Sequence, residues 1–252
     1  MPTKTSPLIK KIEAVVPLQP DERDFIAELE RDRKTVSART DLVKQGEKYP
    51  GVGILHSGWA IRYKSLSDGR RQIVNFLLPG DAFGLFANLF ELSDHSVATL
   101  TDASLSVFSP DLVAEMYRKH PKLAAAFAWF SAREEAIIAE RATGLGQRTA
   151  FERMAHMLLE LLKRLEVVSL ANDNKFELPV TQEILADTLG LSLVHANRTM
   201  RKLRESGLIE IEGQHIFLRD VRALADVADF DDLYLYLQRM SKQAVKRFSE
   251  AV

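Results

Sequence analysis

The spacing of apolar positions along the chain changes character twice. Near the start, Pro20-Asp-Glu-Arg-Asp-Phe-Ile-Ala-Glu-Leu-Glu predicts a short helix. From about residue 34 to 109 the apolar positions fall in short β-type runs: Val52 to His56, Trp59 to Lys64, Gln72 to Leu77, Ser96 to Leu100 and Ser104 to Phe108. The turn signals Lys44-Gln-Gly-Glu, His56-Ser-Gly, Ser67-Asp-Gly and Leu78-Pro-Gly-Asp punctuate this region. Short strands at this spacing predict a compact barrel or roll. From Asp111 the period is helical, and Pro121 opens a long helix to about Thr143. Along it Leu123, Phe130 and Ile137 recur every seven residues, and Ala126, Phe127 and Ile138 widen the stripe. Such a repeat can pair with its own copy, and can also pack on the roll of the same chain. Both are expected, because the helix is apolar on more than one side. Gly144-Leu-Gly146 interrupts helix propensity and is the expected hinge and domain boundary.

An amphipathic helix follows from Phe151 to Leu165. Residues Thr181 to Gly207, TQEILADTLGLSLVHANRTMRKLRESG, then read as two short helices joined by a tight turn. The first puts Ile184, Leu185, Ala186 and Leu189 inside. Small Ala186 lets two helices cross closely, Gly190 tolerates the positive φ of the turn, and Ser192 is placed to cap the second helix. No acidic residue occurs from Thr188 to Arg204, while Arg198, Arg201, Lys202 and Arg204 are basic. That combination predicts a helix-turn-helix whose second helix can lie against DNA. Leu208 to Leu218, with Gly213 at its turn, reads as a hairpin wing. Leu233, Leu237, Met240, Ala244 and Phe248 form one face of an expected C-terminal packing helix.

Composition narrows the picture by exclusion. A length of 252 residues suits two domains, and 46% hydrophobic with 27% charged residues is the balance of a soluble globular chain. No apolar run reaches the length of a membrane span, and no secretory leader is visible, so a cytoplasmic protein without membrane partners is expected. The net charge is -1, so affinity for DNA must come from local charge. With no cysteine, a disulfide, a thiol switch and a cysteine-held cluster are excluded. The six histidines are not spaced as metal ligands, and no metal or cofactor is expected. His56 and His95 read as surface or core side chains.

Roll, long apolar helix and winged helix-turn-helix, in that order, resemble the catabolite-activator (CRP/FNR) family of bacterial transcription regulators. Leu42-Val-Lys-Gln-Gly-Glu, His56-Ser-Gly-Trp-Ala-Ile-Arg-Tyr, Leu78-Pro-Gly-Asp-Ala-Phe-Gly and Gln147-Arg-Thr-Ala-Phe-Glu-Arg-Met-Ala-His carry the likeness, which covers roughly residues 20 to 228. It implies an α+β chain: N-terminal helix and cyclic-nucleotide-binding-like roll over 1–120, dimerisation helix over 121–144, winged helix-turn-helix over 145–228, and an extension over 229–252. It implies a homodimer paired through Leu123, Phe127, Phe130 and Ile137, acting on palindromic double-stranded DNA with RNA polymerase as a further partner, and no enzyme activity. Thr181, Gln182 and Ser192 match positions that grip phosphates, and Val194, His195 and Arg198 match positions that face base edges. Asn197 faces either way; Arg201 and Lys202 are phosphate contacts or solvated charges.

The likeness also exposes a departure. Binders of cyclic nucleotides have Gly-Glu and Arg-Ser in the phosphate segment, where this chain has Gly84-Leu85 and His95-Ser96. Leu85 cannot accept a hydrogen bond from a ribose, and His95 is only partly charged near neutral pH. The resemblance therefore implies a pocket that does not take cyclic AMP. Either Gly84, Leu85, Phe86, His95 and Ser96 hold an unknown small-molecule effector, or Leu85, Phe86, Leu89 and Phe90 fill the space as core. Two other classes stay open at this point: a cupin-like barrel enzyme, which lacks clustered histidines and carboxylates, and an interaction module without specific DNA binding.

Overall fold

The computed structural model describes residues 5–85 and 89–249. Two compact units divide the chain: Met1–Lys64 with Phe76–Glu134 and Tyr236–Val252, and Ser65–Asn75 with Glu135–Leu235. The fold is α+β, as the sequence predicts.

The first unit begins with helices α1 (Pro7–Val15) and α2 (Pro20–Leu29). Ser6 caps α1 by accepting from the Ile9 N–H at 3.2 Å. The strands β1 (Arg33–Val36), β2 (Asp41–Val43), β3 (Val52–Ser57), β4 (Ala60–Ser65), β5 (Arg71–Leu77), β6 (Ala82–Phe83), β7 (Ser96–Thr99) and β8 (Ala103–Phe108) follow. They form two four-stranded sheets in the orders β1-β8-β3-β6 and β2-β7-β4-β5. Helix α3 (Pro110–Lys119) leads into α4 (Pro121–Gln147). Val52 and Ile54 of β3 pack in one core with Leu8, Ile12, Ile26, Leu29, Leu123, Ala126 and Phe127. Each large side chain so buried is worth about 1.5–3 kcal/mol.

This core takes in part of the expected dimer seam, as the packing of the helix on its own roll requires. Leu123 and Phe127 are buried in the roll's own interior, Phe130 packs on the same cluster, and Ile137 is buried as well. Leu123 and Phe127 are fully taken up within the chain, while Phe130 is only partly buried. The outward positions of α4 are Ala128, Ala132, Glu135, Ala139, Ala142 and Thr143, a line of mostly small side chains.

Gly144 and Gly146 do not end α4. The helix runs through both to Gln147, past the expected end, and the Arg148 N–H still donates to the Gly144 carbonyl at 3.0 Å. The chain breaks instead at Thr149. Its hydroxyl accepts from the Glu152 N–H while the Glu152 carboxylate accepts from the Thr149 N–H, a reciprocal cap that starts α5 (Ala150–Val167).

In the second unit α5 is the central post, with Met154, Ala155, Leu158, Leu159, Leu161, Leu162 and Leu165 buried. Strands β9 (Ala171–Asn172) and β10 (Lys175–Glu177) precede α6 (Gln182–Leu189) and α7 (Leu193–Glu205). The wing strands β11 (Ile209–Glu212) and β12 (His215–Leu218) pair across Gly213, in the sheet order β11-β12-β10-β9. Helix α8 (Val221–Ala228) closes the unit.

The C-terminal stretch is not one helix. A 3-10 turn (Leu233–Leu235) ends at Tyr236, whose φ of 46° is left-handed, and α9 (Lys242–Ser249) follows. Leu233 and Phe248 are exposed while Leu235 is buried, so the expected single face does not exist. Among the described residues no helix is long and apolar enough to cross a membrane.

Candidate nucleic-acid interface

Two capped helices set the geometry of the interface. Thr181 caps α6 by accepting from the Ile184 N–H at 3.2 Å. Gly190 ends it in the left-handed region (φ 62°, ψ 42°), and the N–H groups of Gly190 and Leu191 both donate to the Ala186 carbonyl. Ser192 then caps α7 through the His195 N–H at 3.3 Å. The left-handed φ of Gly190 favours glycine there, and an added Cβ would stand 3.0 Å from Leu145 Cδ2, a tight contact. The start of α7 therefore presents its first N–H groups outward, a favourable place for a phosphate.

Ala196, Thr199, Met200 and Leu203 are the inner face of α7. Val194, Asn197, Arg198, Arg201 and Lys202 lie on the exposed side, and His195 is half-buried. Val194 is 77% exposed and Leu193 50%, an unfavourable display for apolar side chains unless a partner covers them. Among the described residues no carboxylate lies within ion-pair range of Arg198, Arg201 or Lys202. By contrast Lys175 is held by Glu212 at 2.8 Å, and Arg219 is paired with Glu210. Positive charge is left uncompensated on one helix face. Thr181 and Gln182, at the start of α6, are also exposed.

The roll's predicted pocket residues have a different fate. Gly84 has φ 79°, and a Cβ there would press on the Gly51 carbonyl and the Tyr49 ring. Leu85 packs partly buried against the apolar core. Phe86 lies outside the described residues; Leu89 and Phe90 are exposed rather than core. His95 is tied at both ring nitrogens, Nε2 to the Tyr49 hydroxyl and Nδ1 to Asp94, each at 2.7 Å. Asp94 is in turn 2.9 Å from Lys64, and these two contacts hold its carboxyl down to about 2. Burial, with Arg62 nearby, lowers the His95 pKa, against the opposing pull of Asp94. Ser96 Oγ accepts from the Gln45 N–H at 3.0 Å. Sequence reading missed Tyr49 and Asp94, whose partners lie across the roll or beside it with no motif to announce them.

His56 is a core side chain. Its Nε2 bonds Ser106 Oγ at 3.0 Å, and Ser106 donates onward to the Leu29 carbonyl. Among the described residues no three His, Cys, Asp or Glu side chains cluster as a metal site.

Comparison with known proteins agrees with this architecture. The cyclic nucleotide-binding domain family matches residues 33–120, and the Crp-like helix-turn-helix domain family matches residues 152–227. The chain is 32% identical over 186 residues to the nitrogen fixation regulation protein FixK of Rhizobium meliloti, covering 73% of this chain and 77% of that one. It is 29% identical over 202 residues to the transcriptional activator protein FnrL of Cereibacter sphaeroides, covering 79% and 81%. The structure of FixK2 from Bradyrhizobium japonicum superposes with a TM-score of 0.71 at 27% identity, covering 78% of this chain and 96% of that one. A roll, a long helix and a winged helix-turn-helix, matched in both halves and along most of a relative's length, place this chain in the CRP/FNR family of bacterial transcription regulators.

Proposed function

We propose that this DNA-binding transcription regulator reads a palindromic site as a homodimer, with α7 in the major groove and Arg198 on a guanine of each half-site. The observation that carries this reading is the exposed, uncompensated face Val194-Asn197-Arg198-Arg201-Lys202 on a serine-capped helix. The Arg198 fork can donate to O6 and N7 of guanine together, worth about 1–3 kcal/mol of discrimination. Leu193 and Val194 are placed to meet thymine methyl groups. Thr181, Gln182 and the first N–H groups of α7 hold phosphates, and Arg201 and Lys202 add charge.

Pairing runs along the small-residue line Ala128-Ala132-Ala139-Ala142, where two copies of α4 can approach closely. The roll is a sensor domain whose signal is not cyclic AMP, because His95 is engaged at both ring nitrogens and Leu85 is packed against the core. RNA polymerase is the partner through which a DNA-bound dimer would act. Selection of bound sequences from a random DNA pool tests the central claim. The expected result is an inverted repeat with a guanine at the same place in each arm. Recovery of unrelated sequences, or of a single half-site, overturns it.

A further inference from the structure

In the second unit the last turns of α4, with α5 and the end of α6, line a small half-open cavity. Its polar lining is Glu140, Arg141, Arg148, Arg153, His156 and Glu160. Both carboxylates are engaged. Glu140 Oε1 is 2.6 Å from Arg148, and Glu160 lies 3.3 Å from Arg141, 3.2 Å from Arg164 and accepts from the Tyr234 hydroxyl at 3.1 Å. Arg153 is different. One terminal N–H donates to the Leu145 carbonyl at 3.1 Å, its Nε is buried without a hydrogen-bond partner, and no carboxylate among the described residues pairs with it.

His156 is the second anomaly. It is only 7% exposed and is clamped between Tyr234, stacked at 5.7 Å, and Phe230, edge-on at 4.9 Å. Its Nε2 stands 3.3 Å from Glu140 Oε1 without the alignment of a hydrogen bond, and it has no other partner. With both carboxylates already neutralised, the Arg153 guanidinium is left as unmet positive charge, beside an imidazole that burial pushes toward its neutral form. Burial alone lowers the Arg153 pKa, the mark of a cation without a counter-ion.

We propose that this cavity binds a small oxyanion, with Arg153 as its counter-charge and His156 as a second hydrogen-bonding partner. Guanidinium suits the class, because its planar N–H groups match two oxygens of a carboxylate or phosphate. Thr188 and Leu189 of α6 complete the wall, so an occupant bears on the helix that leads into the turn.

The test uses the full chain in thermal-shift titrations with inorganic phosphate and, separately, acetate, each against chloride at equal ionic strength. At least one oxyanion should stabilise the protein saturably where chloride does not. Arg153→Gln should weaken that binding by roughly tenfold or more, the scale of one charge-assisted hydrogen bond. Arg198→Ala, which removes a cation from the DNA face, should leave it unchanged. His156→Gln carries the same test if Arg153→Gln does not fold. A response equal to that of chloride overturns the proposal. So does one that survives both cavity variants, or one that Arg198→Ala abolishes; the last would place the anion at the DNA interface.

Discussion

The Tyr49 hydroxyl donates to Nε2 of His95, and the same ring donates from Nδ1 to Asp94. The chain of contacts runs on from Asp94 to Lys64 and engages both ring nitrogens of His95, the residue proposed to stand where cyclic-nucleotide binders carry an arginine. Calorimetric titration with cyclic AMP should therefore show no sub-micromolar binding. Leu85→Glu combined with His95→Arg restores both missing partners and should give measurable affinity. No gain from the pair would mean that the pocket's shape, as well as its polar groups, has been lost.

Pairing and core can be separated on α4. Ala132→Asp puts a charge on the exposed line and should shift sedimentation from dimer to monomer while the melting transition stays cooperative. Leu123→Asp buries an unpaired charge in the roll, a change costing about 3–5 kcal/mol, and should unfold the first unit instead. A monomeric parent at micromolar concentration contradicts the seam.

On DNA, Arg198→Ala should cost about 1–3 kcal/mol per half-site and relax preference at one base pair. Lys202→Ala should weaken all sequences alike and lower the salt slope by about one unit. Gel-shift titrations over a salt series distinguish the two. Equal losses on specific and unrelated DNA from both variants would make Arg198 a phosphate clamp.

His56 sets a pH dependence. Burial, with Arg33 nearby, lowers its pKa from 6.5 to about 4 in the folded chain. Glu30 Oε1 at 3.7 Å would favour the imidazolium, but Arg33 already holds that carboxylate at 2.7 Å. The unfolded chain takes up the proton first, so this contribution to stability is complete above about pH 6.5 and is lost as pH falls toward 4, at most a few kcal/mol. Denaturant titrations at pH 7 and pH 5 should show the loss, and His56→Gln should flatten it. An unchanged slope in His56→Gln assigns the effect elsewhere.

Much of this molecule is legible as local pattern. The runs at β3, β4, β5, β7 and β8 are dense in β-branched and aromatic residues, and the helix-turn-helix spells out its caps and its glycine. Elements that owe their state to partners are hidden. Strand β1 reads Arg-Lys-Thr-Val and is held by pairing with β8. The hairpin at Asp173 and Asn174 did leave a signal, since both adopt φ near 51–60° and Asp-Asn tolerates that region. The direction of α4 could not be read, because an all-round apolar helix does not say which side its own chain will claim. The cavity at Arg153 was equally silent: its residues come from three helices and form no motif.

The backbone N–H of Met240 donates to the carbonyl of Val15 at 3.0 Å, and Val245 packs on the core that α1 helps to form. The roll and its first helices leave the ribosome early, yet their last covering piece lies beyond residues 135–235. At roughly 5–20 residues per second the nascent roll waits about 5–20 s for it. During that interval the core lacks Met240 and Val245, and α1 lacks the backbone partner at Val15; a premature stop before Met240 would leave both missing for good.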